Sequence, residues 1–199
     1  MTANLVNVLA PACAAWAAFL LLRSVIGRWI PAFLGGLIFG FSPYEMAQSL
    51  GHLNLTSVAL VPVALLVCKA YLDQTITRTR FIAVLAVTAL LQPGISTEVL
   101  FTSAWMGVWA WCVFLATAEA KARPAFYRLG RDVILAGMTT IVLASPFLFY
   151  LLKGMKVVPG QLNNPDVYSA DILNFVVPTP VTLPGARLFG SISPQFTGN

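Results

Sequence analysis

The sequence predicts an all-α protein, a polytopic transmembrane helical bundle followed by an extracytoplasmic loop rich in Pro and Gly. Three observations predict this class. Of the 199 residues, 58% are hydrophobic and only 10% are charged, whereas about a quarter of the residues in a soluble domain are charged. The hydrophobic residues fall into long runs, and Lys and Arg are concentrated in alternate connections between those runs. An ordinary water-soluble domain is therefore excluded.

Six hydrophobic segments are predicted in the transmembrane domain, residues 1–152. A helix needs about 20 apolar residues to cross a bilayer core of about 30 Å. The segments lie near 3–22, 30–48, 53–72, 81–97, 100–118 and 133–152. Two are short or broken, because Ser42-Pro43-Tyr44-Glu45 interrupts the second and Gln92-Pro93-Gly94 interrupts the fourth. Such segments either line a cavity or end at the membrane interface, and both alternatives stay open.

The basic residues predict the orientation of the chain. Nine of the twelve Lys and Arg lie in the first, third and fifth connections: Arg23, Arg28, Lys69, Arg78, Arg80, Lys121, Arg123, Arg128 and Arg131. The second and fourth connections contain none. By the positive-inside rule the basic connections are cytoplasmic, so the amino terminus and the loop 153–199 are extracytoplasmic. The net charge of +5 thus has a topological explanation, and no nucleic-acid partner is indicated.

Several chemistries lack their motifs in this sequence. The three cysteines have no metal-ligand spacing and lie inside apolar runs, so neither a disulfide framework nor a zinc site is indicated. The sequence has no Gly-rich phosphate loop, no His-Glu-x-x-His and no Gly-x-Ser-x-Gly. Nucleotide hydrolysis, zinc proteolysis and standard serine hydrolase chemistry are therefore not supported.

Three candidate site residues lie in the two connections without Lys or Arg, and a fourth lies in the loop 153–199. Glu45 and His52 belong to the second connection, Glu98 to the fourth, and Asp171 to the loop 153–199. Ionisable groups near membrane depth tend to be functional. Each has a plain alternative, because Glu45 could cap a helix, His52 could be an interfacial anchor and Glu98 could simply lie at the interface.

The acidic residues beside the basic connections have a simpler explanation. Asp73, Glu119 and Asp132 each lie close to Lys or Arg in the sequence. We expect them to be solvated partners in charged loops. A second structural signal is the spacing of Gly36 and Gly40, which would let another helix approach closely.

Four stretches of the sequence carry a family resemblance. They are Gly35 to Tyr44, Gly51-His52-Leu53-Asn54-Leu55, Ser96-Thr97-Glu98 and Ser169 to Pro180. Together they resemble the multi-spanning glycosyltransferases of the GT-C superfold, especially YfhO-like and mannosyltransferase-like bacterial membrane proteins. The resemblance runs from about Asn4 to Pro180.

The resemblance implies an enzyme of the bacterial plasma membrane that transfers a sugar from a polyprenyl-phosphate donor on the outer face. A carboxylate would act as general base for the acceptor, and a divalent metal ion assists in some members. Among the candidate residues the resemblance reaches His52, Asn54 and Glu98. We predict Glu98 and His52 as catalytic residues, with Glu98 as the base or a metal ligand, because the outer connections hold carboxylates and the sole His without Lys or Arg. Glu45, Asn54 and Asp171 would bind substrate.

The resemblance also predicts that the chain is a fragment. The family's best-marked carboxylate lies in a first outer loop that this chain lacks, and the chain ends within a loop. We therefore expect the 199 residues to be inactive on their own.

Two other classes of protein stay open. A transporter or lipid flippase would suit two interrupted helices, and Lys153, Lys156 and Arg187 could supply the basic group that a phosphate-bearing lipid needs. No internal repeat supports that class. The third possibility is a non-catalytic membrane assembly subunit.

Overall fold

A computed structural model describes residues 2–49, 52, 54–154, 187–189 and 191–192. Within these ranges the chain is helical and contains no strand, so the all-α prediction is confirmed. The helices are α1 (Thr2–Ile26), α2 (Trp29–Gly40), α3 (Pro43–Gln48), α4 (Leu60–Leu72), α5 (Arg78–Ile95), α6 (Thr97–Thr117) and α7 (Arg123–Gly154).

Three of the described helices are long and apolar enough to cross a membrane. These candidate spans are Leu5–Ile26 in α1, Thr97–Thr117 in α6 and Arg123–Lys153 in α7. The helix α4, Leu60–Leu72, is apolar but shorter. The apolar side chains of α6 and α7 are largely exposed on the protein surface, as expected for helices that face lipid rather than water. These spans are the mark of an integral membrane protein.

The two interrupted segments differ in the structure. The second is divided as its sequence predicts, because α2 ends at Gly40 and α3 begins at Pro43. The fourth is not divided at Pro93, and the interruption predicted there is wrong. The helix α5 includes Pro93 and continues to Ile95, with the Ser96 N–H donating to the Gln92 carbonyl at 2.7 Å. A proline removes one backbone donor, and here the helix tolerates that loss.

Small residues bring α1 and α2 into close contact. Ala32, Gly36 and Gly40 recur every four residues on α2 and are all buried. A Cβ atom on Gly40 would lie 2.4 Å from the Pro11 carbonyl oxygen of α1, which leaves no room for a larger side chain. The close approach expected from Gly36 and Gly40 is therefore confirmed. It fixes the end of α2, from which α3 starts.

Asp132 joins α4, α5 and α7. Its side chain is 0% exposed, so the prediction that it is a solvated loop residue is wrong. The Tyr71 hydroxyl donates to it at 2.6 Å, Arg78 Nε donates at 3.1 Å and Arg131 Nε donates at 3.0 Å. We call these four residues the Asp132 cluster. The other two acids are exposed as expected, with Asp73 paired to Lys69 and Glu119 paired to Lys121.

Further contacts hold α6 and α5 to α7. The Trp111 indole N–H donates to the Phe126 carbonyl at 2.9 Å, and the rings of Phe114 and Phe126 stack with centroids 5.5 Å apart. The Thr140 hydroxyl donates to the Ala86 carbonyl of α5 at 3.2 Å. Hydrogen bonds between helices are favourable where water cannot compete for the same groups.

The chain divides into two compact units, Met1–Leu148 and Phe149–Asn199. The first contains the helical bundle. In the second, the Lys153 ammonium lies 6.0 Å from the centroid of the Phe149 ring. The short helix predicted near Ser169 to Phe175 lies outside the described residues.

Candidate functional site

A pocket of about 380 Å³ lies in the first unit, among the end of α2, the helix α3, the stretch 55–61 and the first turns of α6. Its walls combine apolar side chains with hydroxyls and two carboxylates. They are formed by Phe39, Ser42, Tyr44, Glu45, Leu55, Val58, Val61, Glu98, Val99, Thr102 and Ser103. We call it the carboxylate pocket. Its volume is in the range of pockets that bind small molecules.

Ser42 and Pro43 place Glu45 in this pocket. Ser42 is the N-cap of α3, its hydroxyl accepts from the Glu45 N–H at 3.4 Å, and Pro43 occupies the first helical position. Ser42-Pro43-Tyr44-Glu45 has the spacing of a capping box, in which the Glu side chain would accept from the Ser42 N–H. That N–H instead donates to the Phe39 carbonyl at 3.3 Å. The reciprocal bond of a capping box is therefore not formed, although Glu45 does lie in the first turn of α3, as its alternative role at the start of a helix requires.

The Glu45 carboxylate is buried without a partner. Glu45 is 1% exposed, and neither of its carboxylate oxygens has a hydrogen-bond partner among the described residues. Glu45 lies on α3, outside the three candidate spans, and its burial raises its pKa to about 7. The pKa of the neighbouring Tyr44 is also raised, by burial and by the charges of Glu45 and Glu98. Buried carboxylates without partners are costly and cluster at functional sites.

Glu98 enters the same pocket from the first turn of α6. Ser96 caps that helix, because its hydroxyl accepts from the Val99 N–H at 3.3 Å. Unlike Glu45, Glu98 is exposed. Thr102 follows four residues later and therefore lies on the same face of the helix, and Ser103 is next to it. The mouth of the pocket thus has a solvated carboxylate beside two hydroxyls.

The other predicted site residues lie elsewhere. His52 and Asn54 are exposed and are not among the residues that line the carboxylate pocket. They belong to a turn in which the Leu55 N–H donates to the His52 carbonyl at 2.8 Å. Asp171 lies outside the described residues. The structure therefore brings Glu45 and Glu98 together without His52 or Asn54.

The hydroxyls that line the pocket were not predicted from the sequence. Ser42, Tyr44, Thr102 and Ser103 all line the pocket. The spacing of Thr102, one helical turn after Glu98, was a signal that could have indicated it. The positions of the other hydroxyls in the pocket depend on α3 and α6 lining the same cavity, and no local sequence pattern predicts that arrangement.

The pocket does not fit a divalent metal. Among the described residues, no group of three His, Cys, Asp or Glu side chains could hold a metal ion. Magnesium and calcium prefer several oxygen ligands, with carboxylates prominent among them. The two carboxylates of the pocket therefore do not form a dedicated protein metal site, since water or a substrate phosphate would have to supply the other ligands.

An apolar pocket of about 440 Å³ adjoins the carboxylate pocket, among α1, α2 and α4. The two share Phe39, Ser42 and Val61 as lining residues. The remaining walls are apolar: Ala18, Leu21, Leu22, Gly35, Ile38, Pro62 and Leu65. We call it the apolar groove. A single molecule with a polar and an apolar part could contact both.

These features define an all-helical membrane protein with a pocket that holds two carboxylates. The chain belongs to the DUF6311 family, a domain of unknown function, whose model matches residues 4–197. Comparisons with curated proteins and with solved structures gave no match.

Proposed function

We propose that the chain is a membrane glycosyltransferase of the GT-C type, or a segment of one, that takes a sugar from a polyprenyl-phosphate donor. The observation that carries this proposal is the carboxylate pocket, where the buried Glu45 and the exposed Glu98 line one cavity. The adjoining apolar groove supports a lipid-linked substrate. The sequence resemblance supports sugar transfer as the reaction.

The proposal includes six membrane crossings, by α1, α2, α4, α5, α6 and α7. Two groupings of residues support it. Glu45 and Glu98 line one pocket, while Tyr71, Arg78 and Asp132 meet in the Asp132 cluster. Arg78 and Glu98 lie near opposite ends of α5, whose 18 residues span about 27 Å at 1.5 Å per residue. That is close to the thickness of a bilayer core.

The positive-inside rule gives this arrangement its orientation. The Asp132 cluster would lie at the cytoplasmic side and the carboxylate pocket at the outer side of a bacterial plasma membrane. The helices α2 and α4 have 12 and 13 residues and would need local thinning of the bilayer.

In this proposal Glu98 is the general base. It accepts the proton of the acceptor hydroxyl while that oxygen attacks the anomeric carbon, and the bond to the polyprenyl phosphate breaks with its electron pair leaving on the phosphate. Its exposure makes it accessible to an acceptor. Glu45 binds substrate from within the pocket. His52 and Asn54 do not line the pocket, and their role as donors to sugar oxygens rests on the sequence alone.

Transfer of labelled sugar by membranes that contain the full-length protein tests the proposal. Glu98→Gln removes the base and should lower kcat by about 100-fold or more, since general bases contribute on that scale. Glu45→Gln should mainly raise KM. Glu119→Gln is the matched control, because Glu119 is exposed and pairs with Lys121 away from the pocket. Unchanged transfer in both pocket variants would contradict the proposal.

Reporter fusions test the orientation separately. Fusions at Arg78 and at Val157 should report opposite sides of the membrane, cytoplasmic and outer respectively. If both report the same side, the six-crossing arrangement is wrong.

A lipid flippase is the second candidate, favoured by the contact between the apolar groove and the carboxylate pocket. Such a protein would move a labelled lipid across sealed vesicles without any sugar transfer. Uptake in vesicles combined with no transfer would favour the flippase over the enzyme. If neither lipid movement nor sugar transfer is detected, the non-catalytic membrane assembly subunit is the class that remains.

A further inference from the structure

We infer that the carboxylate pocket binds a protonated amine, so that the substrate group held by Glu45 carries an ammonium. This inference rests on the proposed function only in treating the pocket as the substrate site. It names the chemical class that the pocket selects. The amine could belong to a soluble amino sugar or to the headgroup of an amine-bearing lipid.

The charge of the pocket is the first argument. Two of its lining residues are carboxylates, and no Lys, Arg or His is among the described residues that line it. A phosphate placed there would face two like charges, which disfavours the ionised form of all three groups. The phosphate of a donor must therefore lie outside this pocket.

The state of Glu45 is the second, independent argument. Its carboxylate is 1% exposed, lines the pocket, and has both oxygens without partners in the described part of the chain. Buried charges in proteins are normally paired. The Asp132 cluster shows that this chain can supply such pairing from its own residues. At Glu45 it does not, and a cationic ligand would provide the missing partner.

The remaining walls favour an organic cation over a metal ion. An ammonium has three N–H donors, and the pocket offers carboxylate oxygens and the hydroxyls of Ser42, Thr102 and Ser103 as acceptors. The aromatic rings of Phe39 and Tyr44 are also in the walls, and aromatic faces attract organic cations. The apolar walls suit the carbon skeleton of such a ligand, and a metal ion with its shell of water has no apolar part to place against them.

Binding to the purified full chain in phosphatidylglycerol nanodiscs tests the inference at pH 8, where Glu45 is largely ionised. The soluble probes are 6-amino-6-deoxyglucose and glucose, which differ by an ammonium in place of a hydroxyl. Calorimetry should show that the amine binds about tenfold or more tightly than glucose, because a charge-assisted pair is lost with glucose. Glu45→Gln should remove that preference, and Glu119→Gln should preserve it.

A second arm distinguishes the lipid source. Native mass spectrometry of the protein with mixed phosphatidylethanolamine and phosphatidylglycerol should show retained phosphatidylethanolamine if the amine belongs to a lipid. Sensitivity to Glu45→Gln in either arm supports the inference and identifies the source. If Glu45→Gln does not fold, Glu98→Gln takes its place, because Glu98 is exposed on α6 and its loss should weaken the amine preference.

Three binding results would overturn the inference. They are equal affinity for amine and hydroxyl probes in both arms, an amine preference that survives both glutamine variants, and saturable binding of Mg²⁺ alone that depends on Glu45 without amine selectivity. Sugar transfer at full rate to acceptors without an amine would remove the inference and leave the proposed enzyme. Selective amine binding with no sugar transfer would support the inference and contradict the proposed enzyme.

Discussion

Asp132 and Glu45 are both buried carboxylates, and the chain treats them in opposite ways. Asp132 accepts hydrogen bonds from Tyr71, Arg78 and Arg131. Glu45 has no hydrogen-bond partner in the described residues. A buried charge that is fully paired holds helices together, while an unpaired one lowers the stability of the fold unless something else binds it. The contrast separates a structural carboxylate from a candidate binding carboxylate.

The largest effect should come from breaking the structural side of this comparison. Asp132→Ala leaves the guanidinium of Arg78 and the Tyr71 hydroxyl without their shared acceptor. We expect a loss of about 2–3 kcal/mol in the free energy of unfolding, because hydrogen bonds to a buried charge are lost, while the side chains of Arg78 and Arg131 are more than half exposed and can regain water. Thermal unfolding in detergent measures it. Asp73→Ala breaks the exposed ion pair with Lys69 at the carboxyl end of α4. It should change the free energy of unfolding by less than about 1 kcal/mol. Similar losses in both variants would contradict the structural role of Asp132.

Removing the other carboxylate should have the opposite sign. Glu45→Gln keeps the shape of the side chain and removes a charge that has no partner. At pH 8 we expect the folded state to gain roughly 1–2 kcal/mol, a discounted fraction of the pKa shift. The melting temperature of the detergent-solubilised protein should rise relative to wild type. A clear fall at pH 8 would mean that Glu45 is a structural residue like Asp132.

The pH dependence of stability should follow from the same group. The pKa of Glu45 is raised from its ordinary 4.5 to about 7 in the folded chain, so the folded state holds this proton more tightly than the unfolded state. The stabilising contribution is complete below about pH 4.5 and is lost as pH rises through about 7. Tyr44 and Glu98 are the titratable neighbours, and Tyr44 titrates well above this window. Melting curves from pH 5 to 8 should slope downward in wild type and flatten in Glu45→Gln; an equal slope in that variant would contradict the assignment.

A smaller effect than that of Asp132→Ala should come from trimming the Asp132 cluster. Tyr71→Phe removes one hydrogen bond to Asp132 and keeps the stacking of residue 71 on Phe81, whose ring centroids lie 4.3 Å apart. We expect a loss of about 1–2 kcal/mol, because Arg78 and Arg131 still satisfy the carboxylate. Thermal unfolding beside Asp132→Ala measures the ratio. A loss as large as that of Asp132→Ala would show that the Tyr71 hydroxyl, rather than the arginines, accounts for most of the cluster's contribution to stability.

Local patterns predicted several parts of the site correctly. Ser42-Pro43-Tyr44-Glu45 indicated an interruption of the second segment, and in the structure α2 ends at Gly40 and α3 begins at Pro43. Gly36 and Gly40 indicated a close helix contact, and the structure has it with α1. Patterns of this kind work because caps and small residues act on their immediate neighbours.

The predictions that failed depend on distant residues. Gln92-Pro93-Gly94 favoured an interruption of the fourth segment, but α5 continues through Pro93 to Ile95. Asp132 lies next to Arg131 in the sequence, which favours a solvated pair, yet Tyr71 and Arg78 from two other helices bury it. The partner that decides burial is 54 or 61 positions away in the chain, and no sequence window contains both.

The sequence by itself determined that this protein is helical and belongs in a membrane, because hydrophobic composition and helix caps act locally and need no knowledge of the fold. It also placed Glu45 and Glu98 in connections without basic residues. Only the tertiary structure decided that these two carboxylates line one pocket. It also decided that Asp132 is buried among partners of its own. Whether a buried charge finds a partner depends on which helices meet, and that is a property of packing rather than of composition.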